Sequence, residues 1–355
     1  MTDTIIPRKR FSLPFEFWPK ADRDAWTEAC RPPARLKRGG AAGHLKAVTR
    51  ETHADTYAHF LGFLERHGLL QHEAPAAANV TASNIEAYLG ELKGRMNSTT
   101  IHASMWRLRR ISRYMVPGLA LEWLAEIAKD LALVAHPRSK SDRWVLPERL
   151  IEAGLTLIRE AENCQTMSKL AQATQVRNGL MLAMLGFHPI RRKNFAALEI
   201  GRSFVKIRGS WWIILSAEET KEKRPDERRV NKLLIPFVDR YLDRYRPLLA
   251  RPDCPSSALW LSSSHGARLT DKYLARLVGA NTLATVGVKV TPHLFRTAAA
   301  SGAAIYGGDN PHLGSAILHH SDPRVTQEHY NRATSLTAAE SFRQIVRQYE
   351  KTKSH

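Results

Sequence analysis

Along most of the chain, apolar residues recur every three or four positions, the rhythm of helices that bury one face. The rhythm is unbroken from 44 to 133. Within 44–68, Leu45, Val48, Tyr57, Phe60, Leu61 and Leu64 fall at helical spacings that stop at Gly68. Thr81 and Ser83 both qualify as the cap of a second helix, since Ser83 and Glu86 stand at capping-box spacing. A third helix sets Ile101, Met105, Leu108, Ile111 and Met115 on one stripe. Trp106, Arg109, Arg110 and Arg113 fall largely on its other faces. A fourth helix, over 121–134, completes a four-helix module spanning 41–135.

The flanks differ in texture. Residues 1–40 are rich in Pro, Arg and Lys, and Gly39, Gly40 and Gly43 leave little to hold a helix, so a flexible basic arm is expected. The stretch 136–147 is polar and basic with a proline near each end, the composition of a linker. The second half, 148–337, opens helical. Leu180, Met181, Met184 and Leu185 make the helix over 167–187 apolar enough to be buried. The period then shortens to short β-rich runs at 203–207, 211–216 and 231–236, the first two joined by a tight turn at Arg208-Gly209-Ser210. Trp211 and Trp212 read as sheet-packing residues. Helical texture returns from about 270. The expected fold class is therefore mainly α, a four-helix domain followed by an α+β domain with one small antiparallel sheet. In a last helix, 338–355, Phe342, Ile345, Val346 and Tyr349 form a stripe that has to be buried on its own domain or on a neighbouring protomer.

Composition narrows the partner. Lys and Arg number 53 against 34 Asp and Glu, a formal charge of +19 over 355 residues. Such an excess favours a polyanion, because each neutralised phosphate releases condensed counterions. No run approaches the roughly 18 apolar residues of a membrane helix. The first residues lack an apolar segment with a small-residue cleavage site, so a cytoplasmic, nucleoid-associated protein with no membrane partner is expected. Cys30, Cys164 and Cys254 form no close pair, which argues against zinc fingers and a disulfide framework. His312, His319, His320 and His329 have no Cys or carboxylate cluster beside them, so no metal and no cofactor are expected.

Four segments carry candidate chemistry. Arg191 follows the buried helix in 188–198, HPIRRKNFAAL. Lys221 and Lys223 lie in the charged run 216–229, SAEETKEKRPDERR, read as a loop between two strands. His293 and Arg296 stand three apart in TPHLFRTAAAS, on one helical face. His319, His320 and Tyr330 belong to ILHHSDPRVTQEHYNRA, where Asp322-Pro323 has the form of a helix start. Phosphodiester transfer builds negative charge on non-bridging oxygens, which the planar fork of Arg binds two at a time. The leaving alkoxide needs a proton, which a Lys or His supplies. Tyr is a competent nucleophile, and a phosphotyrosine keeps the bond energy for rejoining. Tyr306 and Tyr349 follow no histidine at the interval that separates His320 from Tyr330.

Together these segments resemble the motifs of the tyrosine recombinase (phage integrase) family. Its first-arginine pattern, roughly G-L-R-x-x-E-L-x-x-L, is matched by P-I-R-R-K-N-F-A-A-L. That aligns Arg191 rather than Arg192 and puts Phe195 and Leu198 on the apolar positions. H-x-x-R is His293 to Arg296. L-G-H followed nine or ten residues later by Tyr is Leu318-His319-His320 followed by Tyr330. The β-hairpin lysine is matched by Lys221, with Lys223 close enough to compete. Two departures stand out: Asn194 replaces the acid three after the first arginine, and His319 replaces the glycine before the second histidine. The resemblance covers most of the chain. It implies the tyrosine recombinase fold, a core-binding domain at 41–135 clamping double-stranded DNA, and a catalytic domain at 148–337. It further implies attack by Tyr330 to form a 3′-phosphotyrosine, with Arg191, Arg296, His293 and His320 stabilising the transition state and Lys221 protonating the 5′-oxygen. A tetramer on two duplexes and a final helix docking on a neighbour complete the expectation, with Arg109, Arg110 and Arg113 as DNA-binding candidates. Integration, excision or resolution without metal or ATP would follow. A relaxing topoisomerase, a hairpin-forming resolvase and a non-catalytic DNA-binding protein are the competing readings.

Overall fold

A computed structural model describes residues 11–35, 38–136, 143, 145–306 and 318. The chain divides into two compact units, Met1–Ser139 and Lys140–His355, a division that falls inside the 136–147 stretch.

The first unit contains α1 (Lys20–Ala29), α2 (Ala47–Arg66), α3 (Ala82–Lys93), α4 (Ser98–Met115) and α5 (Glu122–Leu133). The stripe predicted for α4 is its buried face: Ile101, Met105, Leu108, Ile111 and Met115 all lie in the core with Tyr57, Phe60, Leu61 and Leu64 of α2. Thr81, not Ser83, caps α3; its hydroxyl accepts from the Asn84 amide at 3.2 Å.

The flexible arm expected over 1–40 is corrected over its described part. Leu13, Trp18, Trp26 and Ala29 are buried in the same core. Trp18 donates to the Leu13 carbonyl at 3.0 Å, and fully buried Asp22 accepts from the Tyr57 hydroxyl at 3.0 Å and the Ala77 amide at 2.7 Å. The glycines have the opposite meaning from a linker. The Gly40 amide bonds the Arg31 carbonyl at 2.8 Å, and a Cβ on Gly40 would collide with the Glu28 carbonyl. Glycine here permits close return of the chain onto the end of α1. Two indoles outweigh the basic residues around them, because each buries far more apolar area than a basic side chain needs to stay solvated.

The second unit opens with α6 (Pro147–Asn163) and α7 (Lys169–Phe187), the latter capped by Ser168 and buried over Val176–Leu185. They cross at Gly154 and Gly179, where a Cβ on either would come within 2.5 Å of the other's carbonyl oxygen. After the short α8 (Arg192–Ala196) comes a three-stranded antiparallel sheet, β1 (Phe204–Ile207), β2 (Ser210–Leu215) and β3 (Asp226–Arg229), in that order. Arg208 and Gly209, with φ of 48° and 77°, make the two-residue turn of the β1–β2 hairpin. Trp211 packs as expected, stacked on Phe204 with ring centres 4.8 Å apart.

The third strand is a second correction. It comes from the charged run, and 231–236 forms a 3₁₀ turn at Lys232–Leu234 leading into α9 (Ile235–Arg240). Asn231 caps that turn through the Leu233 amide at 2.9 Å, and Pro236 sits in the first turn of α9, where its missing N–H costs nothing. A π-turn at Tyr241–Tyr245 continues into α10 (Arg246–Leu249). The described chain then runs through α11 (Asp271–Val286), closed by Gly287 at φ 75°, into α12 (Pro292–Tyr306). Leu318 is buried. Residues 319–355, with the predicted C-terminal helix, lie outside the described residues. The architecture is mainly helical with one small antiparallel sheet, the expected fold class.

Candidate active site

The site forms where α7 ends. His188 closes α7, Pro189 and Ile190 turn inward, and Arg191 stands with extended backbone as the N-cap of α8. Phe195 and Leu198 are fully buried, and the Trp260 indole donates to the Phe195 carbonyl at 2.9 Å, so the start of α8 is fixed from beneath. Arg192, one residue on, turns to Asp271 of α11 at 2.8 Å. Two adjacent arginines thus part, and Arg191 alone remains at the site.

His293 and Arg296 occupy the first turns of α12. Leu294 and Phe295 between them are buried, which leaves His293 exposed and draws Arg296 inward to 7% exposure. Arg296 donates from Nη1 to the Pro189 carbonyl at 2.6 Å and from Nη2 to the Leu318 carbonyl at 2.7 Å. One guanidinium thereby joins the chain just before Arg191 to the chain just before His320. Burial, joined by the charges of Arg191 and Arg228 and opposed by Asp226 and Glu222, lowers its pKa to about 10. It remains a cation at neutral pH.

The β2–β3 turn completes the described part. The Thr220 hydroxyl donates to the Arg224 carbonyl at 2.7 Å and accepts from the Arg224 amide at 3.0 Å, closing the turn on itself. Lys221 and Lys223 are both exposed on it, and Lys223 has a left-handed backbone with φ 52°. Between them Glu222 reaches Arg191 Nη2 at 2.6 Å. On β3, Asp226 accepts two bonds from Arg228, at 2.7 and 2.9 Å. His188 is buried beside them. Burial and the Arg228 charge push its pKa down to about 4, and its Nε2 accepts from the Asn231 amide at 3.2 Å.

The structure thus brings Arg191 and Arg296 together, with Lys221 on the adjoining turn and His293 on the helix that carries Arg296. His320, Tyr330 and the rival His319 lie outside the described residues. Reading the sequence missed His188, Glu222, Asp226 and Arg228. The sequence carried no signal for them: the strand period of DERR, with Asp226 and Arg228 on the inner face, shows only in the burial pattern, because all four side chains are charged. No group of three or more His, Cys, Asp or Glu suited to a metal ion occurs among the described residues. No described helix is long and apolar enough to cross a membrane.

In the first unit the three arginines diverge. Arg109 Nε donates to the Leu121 carbonyl at 3.1 Å and its guanidinium lies over Trp106, tying α4 to the start of α5. Arg110 and Arg113 are exposed. Arg110 also lines a groove between α2 and α4 of about 620 Å³, with Thr52, His53, His102, Trp106 and Arg107. Of the three, Arg110 and Arg113 are available to a ligand, whereas Arg109 is structural.

The fold is similar to that of XerH site-specific recombinase bound to a palindromic difH substrate in a post-cleavage complex. The TM-score is 0.55 at 15% identity, covering 81% of this chain and 79% of that one. The XerH pre-cleavage complex with difH gives 0.50 at 13% identity, over 79% and 76%. XerA recombinase is 18% identical over 85% of this chain and 94% of that one, with a TM-score of 0.40. No family model and no curated protein matches the chain. The likeness shows that this chain has the tyrosine recombinase fold that the motifs implied.

Proposed function

We propose that this chain is a site-specific DNA recombinase that cleaves and rejoins strands through a 3′-phosphotyrosine on Tyr330. The observation that carries the reading is the meeting of Arg191 and Arg296, 105 positions apart, at the end of α7 within a recombinase fold. Two guanidinium groups that repel each other in a half-buried site, offset only in part by Glu222 and Asp226 among the described residues, favour a further anion between them. A scissile phosphate is such an anion, and its charge grows in the pentacoordinate transition state.

The Tyr330 oxygen attacks phosphorus, the bond to the 5′-oxygen breaks, and Lys221 returns a proton to that oxygen. His293 and His320 bond the non-bridging oxygens beside the arginines. A 5′-hydroxyl of a partner strand then attacks the phosphotyrosine, releasing Tyr330. Each step exchanges one phosphoester for another, so the chemistry needs no nucleotide hydrolysis, and in this reading the arginines, histidines and lysine take the charge-stabilising and proton-donating roles that a metal ion would otherwise fill. Two such exchanges need four active sites, hence a tetramer on two duplexes, acting on nucleoid DNA.

The test is incubation with a nicked suicide substrate that loses its 5′-hydroxyl end by diffusion. Wild-type protein is expected to accumulate a covalent adduct mapping to Tyr330, and Tyr330→Phe none. An equal adduct from both proteins would reject Tyr330 as the nucleophile, and no adduct from either would leave a DNA-binding protein. Relaxation of supercoils with no site preference would reject site-specific recombination in favour of a topoisomerase.

A further inference from the structure

We propose that Glu222 is a positioning residue for Arg191, supplying from the β2–β3 turn the carboxylate that position 194 lacks. The proposal rests on the recombinase reading above. Asn194, on the first turn of α8, ends in a neutral amide and cannot neutralise a guanidinium three residues away. Glu222 can. Its Oε1 lies 2.6 Å from Arg191 Nη2, with side chains 16% and 28% exposed, so the pair is partly withdrawn from water. A charge-assisted bond in that setting fixes a guanidinium far better than an exposed pair does.

The other oxygen points the same way. Oε2 of Glu222 is buried and has no hydrogen-bond partner among the described residues, an arrangement that costs free energy in the protein as it stands. Its benefit is electrostatic. Arg191, Arg296 and Arg228 crowd one region; among the described residues Glu222 and Asp226 offset them, and both carboxylates support the charge on Arg296. Asp226 is already held twice by Arg228. Glu222 is therefore the carboxylate that answers Arg191.

Its place in the chain adds a second consequence. Glu222 adjoins Lys221 on a turn closed by Thr220. The bond to Arg191 fastens that turn to the start of α8, so one contact sets both the arginine and the proposed proton donor. A guanidinium carries five N–H donors, so one bond at Nη2 orients the plane and leaves further donors for phosphate oxygens.

Single-turnover cleavage of the nicked substrate tests this on the full chain, with wild type, Glu222→Gln and the double variant Asn194→Glu/Glu222→Gln. Loss of an orienting partner is expected to slow cleavage in Glu222→Gln by about tenfold or more. DNA affinity and melting temperature should stay at wild-type values, and the added carboxylate in the double variant should recover part of the rate. Wild-type cleavage by Glu222→Gln, or a double variant no faster than the single, overturns the proposal. So does a slowed Glu222→Gln whose melting temperature falls in step, since that marks a structural role. Absence of an adduct from wild type would remove the recombinase reading and this inference with it, an outcome distinct from the others.

Discussion

At the residue scale, the site turns on how charge survives burial. Arg296 is 7% exposed, yet its two Nη groups are answered by carbonyls from two different segments. A lysine keeps the charge but, as a point donor on a flexible stem, cannot span both carbonyls in one plane. Arg296→Lys is therefore expected to lose about 3 kcal/mol of transition-state stabilisation, a cleavage rate down by roughly a hundredfold. A rate within a few-fold of wild type in single-turnover assays would contradict the planar tether. His188 resolves the same problem by staying neutral. Its pKa is near 4 in the folded chain against 6.5 for the free group, so on acidification the unfolded chain takes the proton first. Stability is full above about pH 6.5 and declines as pH falls toward 4. At pH 5 the loss from this group is about 2 kcal/mol. Glutamine at 188 offers an acceptor for the Asn231 amide and does not titrate. Urea unfolding of His188→Gln should therefore lose about 2 kcal/mol less than wild type between pH 7 and pH 5, and parallel pH curves would refute the buried neutral histidine. Arg191, His293 and Arg296 could be singled out in the sequence because they fall on the motifs of the family the chain resembles, with His293 and Arg296 three apart on one helical face. His188, Glu222, Asp226 and Arg228 could not: their roles come from pairing across a turn and a strand, and in the sequence they are four more polar residues in a polar neighbourhood.

At the element scale, local chemistry was legible wherever one residue type has one physical use. Arg208-Gly209 between two β-rich runs announced the hairpin turn, and the α4 stripe announced its buried face. Where burial is decided by partners far away, the reading failed. The apolar run 231–236 has strand composition, but Asn231 and Pro236 start a helix there, and the strand β2 needs is supplied by DERR, whose backbone pairs regardless of side-chain charge. Residues 11–35 look like a tail until Trp18 and Trp26 are seen to fill the first core. Glycine was the hardest residue to interpret, because flexibility and close approach look identical in sequence. At the α6–α7 crossing it is close approach. Gly154 and Gly179 each leave room for the other helix's carbonyl, and α7 delivers His188 and Arg191 to the site. Gly179→Val has no small shift that relieves the overlap and is expected to cost about 3 kcal/mol or more. Denaturant unfolding checks this; an unchanged midpoint would mean the helices do not meet as closely as the glycines allow.

At the scale of the whole molecule, the charge of +19 sets the terms on which the DNA partner proposed above would be met. Each phosphate neutralised by an exposed cation contributes about 0.9 to the slope of log affinity against log salt, and a cation already occupied within the protein contributes little. The first unit separates these cases within one helix. Arg110 and Arg113 face solvent, whereas Arg109 is spent on the Leu121 carbonyl and Trp106. Replacing Arg110 and Arg113 together with alanine should weaken DNA binding for specific and non-specific sequences alike and reduce the salt slope by roughly 2. Arg109→Ala should leave the slope nearly untouched and instead lower the melting temperature, because it frees the start of α5 from α4. Equilibrium binding titrated across salt concentrations distinguishes the three arginines by number rather than by presence. If the slope drops for Arg109→Ala and holds for the Arg110/Arg113 pair, the DNA-facing side of α4 is the opposite of the one assigned. The net charge would then act as a diffuse field, without a cationic face on α4 that phosphates address.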